Sequence, residues 1–163
     1  MTFLTSAIMS ANLISISEDK DVNEAEALMK INRIRHLPVV DSFNELSGII
    51  TATDVAKTLN KKNKIKIVMS PRVRIIKLNS NIKKIISQML KFKISSMLVA
   101  NEDDLVGIVT TDDLIQLLYE LIDDDEHLPK LEVSTLLENE WDDGGQDDLR
   151  EIAANAEITD KNY

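Results

Sequence analysis

The chain has no cysteine among its 163 residues. Disulfides, thiolate nucleophiles and cysteine-based zinc sites are therefore excluded, and the absence fits a reducing, cytoplasmic setting. Histidine is scarce as well: only His36 and His127 occur. No Gly-x-Ser-x-Gly, P-loop or His-Glu-x-x-His pattern is present. Nothing reads as a device for activating water or a nucleophile, so the expectation is a non-enzyme. Long apolar runs are missing too. None approaches the ~18 residues of a membrane span, and the opening MTFLTSAIMSANL lacks the basic start and long apolar core of a signal peptide.

Acidic residues are absent from 57–93, where twelve basic ones occur. Phe92 is the only aromatic in that stretch. Stacking on a single-stranded nucleic acid thus has little support. The plain reading is a solvated linker and helix face, with nucleic-acid binding and self-association as the sharper alternatives. The missing acids are elsewhere. Residues 1–122 carry a net charge of +2 and residues 123–163 one of −11. The acidic tail, 123–163, reads as partly helical or disordered. Val133, Leu136, Leu137 and Trp141 stand at helix-like spacing, and Trp141 either anchors a partner or packs back on the body. The tail's charge suits docking on the basic face, which salt would weaken.

What the chain has in abundance is a second copy of itself. GIITATD at 48–54 returns as GIVTTDD at 107–113. Met9-Ser10 aligns with Met69-Ser70 at an offset of 60, which also matches Val22 to Ile82, Met29 to Met89, Ile34 to Ile94 and HLPVVD to SMLVAN. One residue is lost in a polar loop, and the offset is then 59. Repetition at this period decides the fold. Each copy reads as a short strand (13–16 or 73–78), an amphipathic helix, a buried strand (37–40 or 97–100), a strand at 46–50 or 105–109, and a closing helix at about 52–60 or 111–122. Two such units, 1–60 and 61–122, bury their apolar faces by stacking. The linker 60–66 reads as short and solvated. The last helix is apolar on more than one face, which suits either inter-unit packing or a homodimer contact.

Thr51 and Thr110 sit at strand-to-helix junctions, three residues before Asp54 and Asp113. The plain reading is a capping box. The functional reading is a helix N-terminus that attracts a phosphate, with a carboxylate for the two hydroxyls of a ribose. Gly48 and Gly107 are not explained by capping; a glycine there lets a backbone or a ligand come close.

The order Met-Ser, strand, helix, LPVV, Gly-hydrophobic-hydrophobic-Thr-x-x-Asp, helix resembles the cystathionine-β-synthase (CBS) domain, paired as in the Bateman module, over roughly residues 7–122. The second copy departs from the pattern at SMLVA. The resemblance implies an α/β (α+β) fold of two β-α-β-β-α units related by a pseudo-twofold, with two clefts. It implies an adenine nucleotide such as AMP, ADP or ATP as regulatory ligand, with or without magnesium, and an unidentified regulated partner protein. It also implies ligand roles for Thr51, Asp54, Thr110 and Asp113. By family geometry Arg35 and His36 serve phosphate in the Asp54 cleft, whereas the Asp113 cleft has Ser95, Ser96 and an extra acid, Asp112. The Asp54 cleft is therefore expected to be the phosphate-binding one. The base is expected between Val73 and Ile94 in the Asp54 cleft, and between Ile14 and Ile34 in the other; all four also suit ordinary core. Arg74 departs from the pattern, and could stack on the base, reach a second phosphate or face solvent. The competing class is an interaction scaffold with vestigial clefts, binding through its charged surfaces.

Overall fold

The computed structural model describes residues 3–123. The tail from 124 onward, with the helix and anchor readings made for it, lies outside the described residues.

After a 3-10 turn at Thr5–Ala7, the first unit runs β1 (Ile16–Ser17), α1 (Val22–Asn32), β2 (His36–Val40), β3 (Leu46–Thr51) and α2 (Ala52–Lys57). A short helix, α3 (Ile65–Val68), opens the second, followed by β4 (Ile75–Lys77), α4 (Ile82–Phe92), β5 (Ser96–Asn101), β6 (Asp104–Thr110) and α5 (Thr111–Asp123). Each unit has a three-stranded sheet, ordered β1-β2-β3 and β4-β5-β6. In both, the first pair is parallel and the second antiparallel. The registers agree across the repeat: Ile16 pairs with Val39 and Ile76 with Val99, Val39 with Gly48 and Val99 with Gly107. The residue lost between the copies falls in the hairpin turn, where Asn44 in one and Glu102 in the other take a left-handed backbone.

The helix starts follow local chemistry. Asp21 caps α1, its carboxylate accepting from Glu24 N at 3.0 Å while Glu24 reaches back to Asp21 N at 3.0 Å. Such a box satisfies two otherwise free amides. Asn81 caps α4 in the same role, accepting from Lys83 N. The alternating apolar positions form one core per unit. Val22, Ala25, Met29, Leu37, Val39 and Ile50 fill the first. Ile76, Ile85, Met89, Met97, Val99 and Val109 fill the second. Between them, Val40 and Leu46 of the first unit meet Ile75, Leu98, Ala100 and Leu105 of the second. This third cluster buries the apolar faces that neither unit covers alone.

Two features depart from the expected picture. The linker is not simply solvated: Ile65, within the basic run, is fully buried in the first unit's core, and Val68 and Met69 pack beside it. An isoleucine among lysines is drawn in because burying such a side chain contributes about 1.5–3 kcal/mol. The strand at 13–16 shortens to Ile16–Ser17, because Leu13 packs into the inter-unit cluster and Ile14 against the first core.

The segments leading into the units also cross. Phe3, Ile8 and Met9, at the front of the chain, pack on the second unit's core, while residues 65–69 pack on the first. Ser10 exchanges two backbone hydrogen bonds with Ile108 (2.9 and 3.0 Å), and Ser70 does the same with Ile49 (2.9 Å each). Thr5 and Ile65 are matching positions, both fully buried. Thr5 donates its hydroxyl to Ser80 O at 3.0 Å, so its polar group is satisfied.

Candidate functional site: an inter-repeat cleft

The repeated heptad makes the same corner twice. β3 ends at Thr51, whose hydroxyl accepts from Asp54 N at 3.2 Å and donates to Asp54 Oδ2 at 2.7 Å; Thr51 N also donates to that oxygen, at 2.9 Å. Thr110 repeats this with Asp113: 3.4, 2.8 and 2.6 Å. The capping box is therefore formed at both corners. It engages one oxygen of each carboxylate. The second oxygen, Oδ1, takes none of these bonds, and each aspartate is half-buried at the strand-to-helix edge. A cap and a ligand are thus compatible roles for one side chain.

Around Asp113 lies a cavity of about 210 Å³. Thr110, Asp112, Asp113 and Ile108 line it from the second unit, and Ile14, Ile34, Arg35 and His36 from the first. The structure thus gathers Ile14, Ile34, Thr110 and Asp113 into one cleft between the repeats, an apolar pair facing a hydroxyl and a carboxylate. Ser10, Asn12, Leu13, Arg33 and Pro38 complete the lining, and none of them is among the site residues expected from the sequence.

Arg35 and His36 are allocated differently from expectation. Both line the Asp113 cleft. One guanidinium nitrogen of Arg35 lies 2.6 Å from both carboxylate oxygens of Asp112, across the unit boundary. His36 Nε2 is 2.9 Å from Ser95 Oγ. In register His36 stands opposite Thr51, so it also borders the first corner. The physical reason is the pseudo-twofold, which brings the starts of β2 and β5 side by side and leaves residues 35–36 facing 95 and the start of α5. Burial pushes the His36 pKa below the usual imidazole value and neighbouring Arg35 adds to this; Asp112, Asp54 and Asp113 oppose it. His36 is accordingly neutral near pH 7.

Val73 and Ile94, expected around Asp54, are partly buried, as are Ile14 and Ile34. Val73 packs into the inter-unit cluster and Ile94 against the second core. The Arg74 guanidinium stacks on the Phe92 ring, 3.4 Å from its centroid, which engages it in a cation–π contact.

Gly48 and Gly107 follow the first of their two readings, close approach of a backbone. A Cβ at Gly48 would lie 2.7 Å from Met69 Sδ and 2.8 Å from Ser70 O. One at Gly107 would lie 2.6 Å from Ser10 O and 3.1 Å from Met9 Sδ. Both glycines make room for the crossing Met-Ser segments. The close approach is that of backbone, and it is a packing requirement. The signal for it was in the sequence, since Met9-Ser10 and Met69-Ser70 repeat in step with the glycines.

Among the described residues no cluster of three His, Cys, Asp or Glu side chains is placed to hold a metal ion. No described helix is long and apolar enough to cross a membrane.

Known proteins share this arrangement. A homoserine O-acetyltransferase of Methanobrevibacter ruminantium is 36% identical over 129 residues, 72% of this chain and 26% of that protein. An L-aspartate semialdehyde sulfurtransferase of Methanocaldococcus jannaschii is 33% identical over 117 residues, 70% of this chain and 23% of that protein. The chain thus spans about a quarter of the length of the curated relatives it matches. Among solved structures, the CBS domain pair of protein MJ0100, in complex with 5-methylthioadenosine and S-adenosyl-L-methionine, superposes with a TM-score of 0.69. It is 30% identical, with 74% of this chain and 99% of that one covered. The CBS domain family description itself matches twice, over residues 6–61 and 65–120. With two matched copies, one sheet in each and a cleft between them, the chain belongs to the CBS domain family as a tandem pair.

Proposed function

We propose that this chain is a non-catalytic regulatory module that holds an adenosine-containing small molecule in the cleft between its repeats and passes the bound state to a partner protein. The observation that carries the reading is the Asp113 corner. Its Oδ1 is left open by the capping box, and the corner faces Ile14 and Ile34 across a cavity of about 210 Å³. A carboxylate in this position suits two ribose hydroxyls, and two apolar side chains suit a purine. The relative crystallised with 5-methylthioadenosine and S-adenosyl-L-methionine supports the same ligand class. AMP, ADP and ATP, which the family resemblance implies, belong to that class.

Regulation requires a ligand to prefer one of two states. The cleft is lined from both units, so an occupant touches both and favours one relative placement of them. Ile115, Leu118, Tyr119 and Ile122 remain exposed on α5. That stripe supports self-association through the closing helices, which sedimentation of wild type against Leu118→Glu would test. The primary experiment is a thermal-shift screen of adenosine, AMP, ADP, ATP, 5′-methylthioadenosine and S-adenosylmethionine. A binder at 100 times its Kd stabilises by about 2.7 kcal/mol. A flat response to all six would remove the sensing role and leave an interaction scaffold.

A further inference from the structure

The Asp113 cleft offers a ribose site, but the charges around it are not arranged for a phosphate. Its lining holds four charged side chains, Arg33, Arg35, Asp112 and Asp113, which sum to zero. Arg35, the cation beside the start of α5, is engaged by both oxygens of Asp112. Asp112 and Asp113 put two carboxylates in the first turn of α5. The partial positive charge of a helix start, about +0.5, is therefore already answered. His36 adds no charge near pH 7. The first unit's corner lacks this arrangement, with Thr53 where the second has Asp112 and Ser95 where the first has Arg35. A phosphate that uses Arg35 in the Asp113 cleft has to separate it from Asp112 and then lie beside a carboxylate. A neutral thioether leaves the pair intact, and a sulfonium gains from the acids.

Resting on the reading that the cleft holds an adenosine, we infer that it selects adenosine derivatives whose 5′ substituent is neutral or cationic over those bearing phosphate, and that Asp112 is the residue determining this specificity. Arg35 and Asp112 are both exposed, so neither is needed for the core. An exposed pair of this kind adds little to stability, and Asp112 can be changed without unfolding the chain.

The test is calorimetry on the full chain with 5′-methylthioadenosine, S-adenosylmethionine, AMP and ATP. Wild type is expected to bind the first two at least tenfold more tightly than AMP. Asp112→Asn frees Arg35, and AMP should gain tenfold or more while 5′-methylthioadenosine changes less than threefold and S-adenosylmethionine weakens. Asp112→Thr, which installs the residue of the first unit, should act in the same direction. Nucleotides binding as tightly as the thioether in wild type, or all four ligands shifting equally in Asp112→Asn, would overturn the charge selection and leave the adenosine reading standing. Failure of all four to bind would remove both.

Discussion

Thr51 with Asp54 and Thr110 with Asp113 make the same three hydrogen bonds, yet the surroundings of the two corners have diverged. The first helix is six residues long and carries one acid in its first turn; the second is thirteen residues long and carries two. The second corner lines a cavity with Ile14, Ile34 and the Arg35–Asp112 pair, whereas the first has Thr53 in place of Asp112 and Ser95 in place of Arg35. A backbone corner held by its own capping box is indifferent to what happens in front of it. Duplication can then preserve the scaffold while charge and access change independently on the two sides.

Four experiments bear on that comparison. The largest effect is expected where matched positions share burial but differ in chemistry. Ile65→Ala should cost about 2–5 kcal/mol in chemical denaturation. Thr5→Ala, which loses a bond to Ser80 O and little volume, should cost about 1 kcal/mol. Next, Asp113→Ala should weaken binding of an adenosine ligand by 30-fold or more, about 2–3 kcal/mol for a charge-assisted bond. Asp54→Ala loses the same cap, so its melting temperature should fall by a similar amount, but its affinity should change less than threefold. Equal affinity losses would erase the distinction between the corners. Third, Gly107→Ala forces a methyl to 2.6 Å from the Ser10 carbonyl and should cost about 1–3 kcal/mol. Gly48→Ala meets the movable sulfur of Met69 at 2.7 Å and the Ser70 carbonyl at 2.8 Å, and should cost slightly less. The smallest effect concerns His36. Its folded pKa lies below the unfolded value of about 6.5, so the unfolded chain binds more protons between the two. Its share of stability is complete above pH 6.5 and is lost as pH falls through that value toward the folded one. Melting temperatures from pH 7.5 to 5 should fall more steeply for wild type than for His36→Asn.

The repeat made most of this fold legible. Continuous apolar runs located the strands at 37–40 and 97–100, which face a unit core on one side and the inter-unit cluster on the other, and 3.6-residue spacing located α1 and α4. The Thr-x-x-Asp corners were readable because capping is local. The crossing was legible only in part: Met-Ser repeats in step with the glycines, but Ser10 and Ile108 pair through backbone, so which unit each segment joins is marked by no side-chain pattern. The linker misled because lysines around Ile65 mask one buried side chain. Following its own unit's corner puts Arg35 beside Asp54, whereas in the fold it lines the Asp113 cleft. Its partner Asp112 is 77 residues away in sequence, and only the pseudo-twofold brings the two together.

The exchanged Met-Ser segments have a consequence for dissecting the molecule. A cut between residues 60 and 61 yields a front piece missing the plug that Ile65 provides and carrying Phe3, Ile8 and Met9 with nothing to cover. Residues 11–70 instead form a continuous stretch that holds its own filling, and what remains is a half whose two parts lie at opposite ends of that stretch. The segment that was copied and the segment able to stand by itself are thus offset by about ten residues along the chain. A fragment of 11–70 should give a dispersed proton spectrum under conditions where 1–60 does not.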